Sequence, residues 1–103
     1  MAYIEKKIAL DYLGSLNLFN IVALSFLSSY EDFVLRVKYM TDEEEIHNEI
    51  HSLKGITLNL GMVLLYDETT KLLKKIRDKE NYSLTSLFEI FKNTYEELKV
   101  IIS

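Results

Sequence analysis

The chain has no cysteine, no proline and no tryptophan, and only three glycines among 103 residues. Without cysteine it has neither disulfides nor thiolate chemistry, which fits a reducing compartment. Without proline, and with so little glycine, nothing interrupts long helices. Imidazole chemistry is confined to two histidines, His47 and His51. Positive charge is also scarce: 12 lysines and arginines face 16 acidic residues, a net charge of −4. No basic block offsets this balance, which argues against a general nucleic-acid binder. The most apolar run, Leu16 to Leu27, is shorter than the roughly 20 residues of a membrane span and is interrupted by Asn17, Asn20 and Ser25. It is expected to be a helix buried on most sides, and no membrane insertion is expected. The start, Met-Ala-Tyr-Ile-Glu-Lys-Lys, leads into no clean apolar core, so no secretory signal is expected.

What is present is a helical pattern. Apolar residues make up 49% and charged residues 27%, a mix that supports one globular domain over residues 1–103. Residues 2–12 read as a short amphipathic helix with Tyr3, Ile4, Ile8, Ala9 and Tyr12 apolar, and Ser15 is placed to cap the next helix. From Leu16 to about Tyr39, Phe19, Val22, Ala23, Phe26, Tyr30, Phe33 and Val37 recur at steps of three and four, which predicts one long helix. Thr41-Asp-Glu-Glu44 has the form of a capping box, and the acidic run Asp42 to Glu45 suits a helix start. The helix after it is expected to run to about Asn59, with Gly61 just beyond its end. Residues 62–79 predict a further helix whose face is Leu65, Tyr66, Thr69, Leu72, Leu73 and Ile76. Lys71, Lys74, Lys75 and Arg77 on it read mainly as a solvated face near a helix C-terminus, and secondarily as steering toward an acidic partner. Ser83 is placed to cap a last helix, where Phe88, Phe91 and Tyr95 read as core at helical spacing. Helices with short links and no strands predict an all-α, up-down antiparallel four-helix bundle with a short extra N-terminal helix.

The chemistry lies in His51-Ser-Leu-Lys-Gly-Ile-Thr-Leu-Asn-Leu-Gly61. At about 100° per residue, Ile46, Ile50, Leu53, Thr57, Leu60 and Leu64 fall within a stripe of roughly 80°, the expected core face. His51 lies about 120° from its centre, toward solvent. His47, Lys54, Gly55, Leu58 and Met62 are expected on the exposed side with it. Positions three and four apart share a helix face, so imidazole, ammonium and a bare stretch of backbone come together. A glycine inside a helix costs about 1 kcal/mol relative to alanine. An indifferent surface histidine would leave Gly55, and the apolar Leu58 and Met62 on a wet face, without a reason.

This run resembles the signature of histidine-containing phosphotransfer (HPt) domains, which reads His-x-Leu-Lys-Gly, five variable positions, then Gly. The resemblance covers the whole chain in length and helix order, but its specific residues lie only between His51 and Gly61. It implies that His51 accepts a phosphoryl group from a receiver-domain aspartyl-phosphate and passes it to the aspartate of a response regulator. Lys54 would pair with the phosphoryl oxygens, and Gly55 would leave room for them. Leu58 and Met62, with His47, would form the partner-binding surface around that centre. Partners would be receiver domains of response regulators and of a hybrid sensor kinase. Magnesium would come from the receiver, with no cofactor or metal of the chain's own. The chain would be a cytoplasmic monomer and a carrier, with no kinase activity, since it has no glycine-rich nucleotide loop. Two features depart from the pattern. Ile56 stands where the family carries a small residue, and His47 is not part of the signature.

Two other readings stand beside it. One is an HPt-like docking module that binds a receiver or kinase without accepting phosphate. The other is a surface metal site from Glu44, His47 and His51, at i, i+3 and i+7. Di-iron bundles need two Glu-x-x-His motifs pointing inward, and this chain has one, pointing outward.

Overall fold

In the computed structural model, which describes residues 2–102, the chain is all-α: six α-helices and no strands among the described residues. The ends of the expected 1–103 domain, Met1 and Ser103, lie outside them. The helices are α1 (Lys6–Leu13), α2 (Leu16–Ser29), α3 (Phe33–Lys38), α4 (Glu43–Thr57), α5 (Val63–Arg77) and α6 (Thr85–Ile102), with a single 3-10 turn, Leu58–Leu60, after α4. α4 packs on α5, α5 on α6, and α6 on α2, while α1 lies against α2 and the 3-10 turn. The molecule measures 40 × 23 × 23 Å, longer in one direction.

The core contains one aromatic cluster and an aliphatic part. Phe26 and Phe33 meet Phe91 with ring centroids 6.2 and 4.7 Å apart. Tyr30 stacks on Phe26 at 4.7 Å, and the Tyr95 hydroxyl donates to the Leu27 carbonyl at 2.6 Å. The α6 aromatics are therefore packing residues, as their spacing predicts. Ile50, Leu53, Leu60, Met62 and Leu65 form the aliphatic part.

Four expectations need correction. First, residues 2–5 are not helical. The Glu97 carboxylate accepts the backbone N–H groups of Tyr3 and Ile4 at 3.1 and 2.7 Å, and the Glu5 N–H donates to the Gly61 carbonyl at 2.8 Å. These distant partners satisfy the backbone, so this stretch stays extended as a strap and α1 starts only at Lys6. Second, the long helix over 16–39 is two helices separated by a turn at residues 30–32. Ser28 and Ser29 precede the break, and serine hydroxyls compete for helix backbone groups. Arg36 then holds α3 in place, pairing with Asp32 at 2.9 Å and with Glu49 on α4 at 2.8 Å. Third, the cap of α4 is Asp42 rather than Thr41: its carboxylate accepts from the Glu44 N–H at 3.0 Å. Fourth, α2 is not buried on most sides. Only Phe19, Ala23 and Phe26 are buried, while Leu16, Leu18, Ile21 and Leu24 are exposed, Leu24 by 60%. The prediction that Ser15 caps α2 holds, since its hydroxyl accepts from the Leu18 N–H at 3.1 Å. No single helix among the described residues is long and apolar enough to cross a membrane, and α1 and α2 meet at a bend of 105°.

Candidate functional site

α4 presents the site because its core stripe is used up elsewhere. Ile46, Ile50, Leu53 and Thr57 are buried, and that fixes the rotation of the helix. His51 and Gly55 are then exposed, and His47 and Lys54 are half-exposed. The rings of His47 and His51 lie nearly parallel, 6.1 Å apart and inclined by 16°. The Lys54 ammonium sits over the Tyr66 ring at 5.6 Å, which draws it across to α5.

Gly55 is helical, and a Cβ built there meets nothing within 4 Å. No internal packing therefore requires the glycine. Gly61 differs. It adopts φ +69°, and a Cβ there would strike the backbone carbonyl of Glu5. It closes α4 in a Schellman arrangement: the Met62 N–H donates to the Thr57 carbonyl at 2.8 Å, and the Gly61 N–H to the Leu58 carbonyl at 3.0 Å. The second glycine of the signature thus shapes the corner rather than the surface at His51.

This corner corrects the partner-binding set. Met62 is fully buried. It occupies the position after the left-handed glycine, whose side chain characteristically packs back on the helix it ends. Extending the wheel through Gly61 places it outside, but the helical period stops there. Leu64, expected on the core face, is only half-buried for the same reason, and Leu58 is half-buried within the 3-10 turn.

His51 stands on a ridge between two open depressions. One, of about 310 Å³, is lined by Tyr12, His51, Lys54, Gly55, Leu58, Asn59 and Tyr66. The other, of about 320 Å³, is lined by His47, His51, Lys54, Thr70, Leu73, Lys74 and Arg77. The first combines Tyr12, Leu58 and Tyr66 with the polar His51, Lys54 and Asn59; the second is cationic, with no carboxylate in its lining. A larger depression of about 640 Å³ at the α2–α3 corner shares no lining residue with either. Among the described residues no three His, Asp or Glu side chains gather to hold a metal, so the Glu44–His47–His51 face offers no three-donor set.

The chain matches no family model, no curated protein and no solved structure to which it was compared. The case for a site therefore rests on the geometry around His51. The structure brings His51, His47, Lys54, Gly55 and Leu58 together and removes Met62. It adds Tyr12, Asn59 and Tyr66. Tyr12 and Tyr66 fall at core positions in their helical periods, and Asn59 sits at a helix end, so sequence periodicity carries no sign of their role. Tyr12 reaches the site because α1 packs on the 3-10 turn, a contact between distant parts of the sequence.

Proposed function

We propose that this chain is a phosphohistidine carrier of the HPt type. The observation that carries this reading is the open space over Gly55 beside an exposed His51. A mid-helix glycine costs about 1 kcal/mol and here relieves no internal contact, so the space serves something that arrives from outside. A neutral imidazole offers a free ring nitrogen near neutral pH. That nitrogen attacks the phosphorus of an aspartyl-phosphate on a receiver. An N–P bond forms, the P–O bond to the acyl group breaks, and the aspartate carboxylate leaves with the electron pair. Attack by a second receiver's aspartate reverses the sequence. Lys54 neutralises phosphoryl oxygens, and the receiver supplies magnesium. Tyr12, Leu58 and Tyr66 form the apolar part of the docking surface, with His47 at its other edge. In the same reading α2, α4, α5 and α6 make an up-down antiparallel four-helix bundle, with α1 as the extra helix and α3 as the displaced end of α2. The chain acts as a cytoplasmic monomer, without kinase activity of its own, between a hybrid sensor kinase and a response regulator.

The test is incubation with a panel of phosphorylated receivers. The expected product is an acid-labile, base-stable label that His51→Gln abolishes, while helicity and melting temperature hold because His51 is exposed. Label that persists in His51→Gln moves the site elsewhere. Receivers that bind without labelling the chain point to a phosphate-independent docking module instead.

A further inference from the structure

The carrier reading assigns one cation, Lys54, to the phosphoryl group. The structure shows that Lys54 leans over Tyr66, toward the depression lined by Tyr12 and Tyr66. On the other side of His51 the wall is α5, and its contribution is Lys74 and Arg77. Arg77 already pairs with Asp78 at 3.0 Å. Lys74 is exposed and makes no ion pair within 4 Å among the described residues, although its charge also acts on Asp78. The chain as a whole is anionic, yet this depression brings Lys54, Lys74 and Arg77 together with both histidines and no carboxylate. Thr70 adds little, since its hydroxyl donates to the Tyr66 carbonyl at 2.8 Å. A charge distribution of this kind fits a small oxyanion with more than one negative charge.

We propose that Lys74 on α5 is a second phosphoryl-binding residue: with Lys54 it forms a two-sided cradle that holds the oxyanion carried on His51. This rests on the carrier reading for its biological meaning, but the cradle itself is testable without a receiver. Lysine provides three rotatable donors on a flexible stem, so Lys74 can follow the group as it arrives and leaves. A contact to phosphoryl oxygens made in the loaded state lengthens the life of the loaded protein.

The experiment loads the intact chain with potassium phosphoramidate. The His51 nitrogen attacks phosphorus, an N–P bond forms, the P–N bond of the reagent breaks, and the imidazole proton leaves on the departing ammonia. Phosphorus NMR then follows loss of the label in wild type, Lys74→Ala and Lys74→Arg, at low and high salt. The expected result is a half-life shorter by roughly two- to fivefold in Lys74→Ala, the size of one exposed cation–anion contact. Lys74→Arg restores it, and added salt shrinks the difference. A parallel titration with inorganic phosphate is expected to shift the His51 and Lys74 side-chain resonances together in wild type, and the His51 shift weakens in Lys74→Ala. Equal lifetimes in wild type and Lys74→Ala overturn the cradle, and so does failure of His51 to take label from phosphoramidate. A chain that loads, shows the Lys74 dependence and passes phosphate to no receiver keeps the cradle and loses the carrier reading.

Discussion

Gly55 and Gly61 are six positions apart and serve opposite purposes. Gly61 is required by its own backbone, which is left-handed and pressed against Glu5, whereas Gly55 is required by nothing inside the molecule. Gly55→Ala is therefore expected to raise stability by up to about 1 kcal/mol in urea unfolding. The same methyl group stands in the space beside His51, so transfer from a receiver is expected to slow. A variant that gains stability and transfers at the wild-type rate removes the gap from the mechanism. Tyr12 supplies the second residue-level test. It is 59% exposed and lines the Gly55 depression. Tyr12→Ala is expected to change stability by no more than about 0.5 kcal/mol. It should weaken receiver binding about tenfold, or 1.4 kcal/mol, measured by titration calorimetry. Unaltered affinity would place the docking surface elsewhere. Leu58 is a less clean probe, because it is half-buried and a charge there also costs stability.

Among the elements, α4 follows from its sequence most directly. Acidic residues open it, a buried stripe of Ile46, Ile50, Leu53 and Thr57 fixes its rotation, and a glycine closes it. The exposure of His51 follows from that stripe alone. The errors sit where an element ends. Thr41 and Asp42 are both competent caps, and the chain uses the second. The turn at 30–32 has no proline or glycine to announce it; the Phe33 N–H closes it onto the Tyr30 carbonyl, Tyr30 stacks on Phe26, and Arg36 beyond it reaches Glu49 on another helix. Met62 escapes the helical wheel because a periodicity argument has no force past a left-handed residue. Gly61→Ala tests this corner. Its φ of +69° and the collision with Glu5 are expected to cost about 2 kcal/mol or more in urea unfolding. Loss of the Glu5-to-Gly61 hydrogen bond should also speed amide exchange at Glu5 well before global unfolding. A fully stable variant with a protected Glu5 amide would mean that the corner admits a side chain and keeps the Glu5-to-Gly61 hydrogen bond, so that glycine is not required there.

For the whole molecule, three tyrosines bear on the response to alkali: Tyr30 and Tyr95 in the aromatic cluster, and Tyr82, whose pKa is raised by burial and by Glu43. Burial raises the pKa of Tyr30 and Tyr95 above the ordinary tyrosine value, with further upward shifts from Glu49 on Tyr30 and from Glu31 and Glu96 on Tyr95. The folded state therefore holds these protons more tightly than the unfolded chain. That contribution is fully present below the unfolded value near 10 and is lost as pH rises through the higher folded values. Melting temperature is expected to be flat with respect to these groups from neutral pH to about 9 and to fall beyond 10. Tyr95→Phe should lower stability by about 1 kcal/mol at neutral pH, through loss of the hydrogen bond to Leu27, and should flatten the alkaline fall. An alkaline limb as steep as in wild type would assign the effect to other groups. By itself the sequence determined the helical class, the face on which His51 lies and the apolar character of the α6 aromatics, because helical periodicity is local and repeats every 3.6 residues. Only the tertiary structure decided that Met62 is core, that residues 2–5 form a strap and that Tyr12, Tyr66 and Lys74 gather around His51. Each of these depends on contacts between residues far apart in the chain, or on a turn that resets the helical register, and no local pattern encodes either.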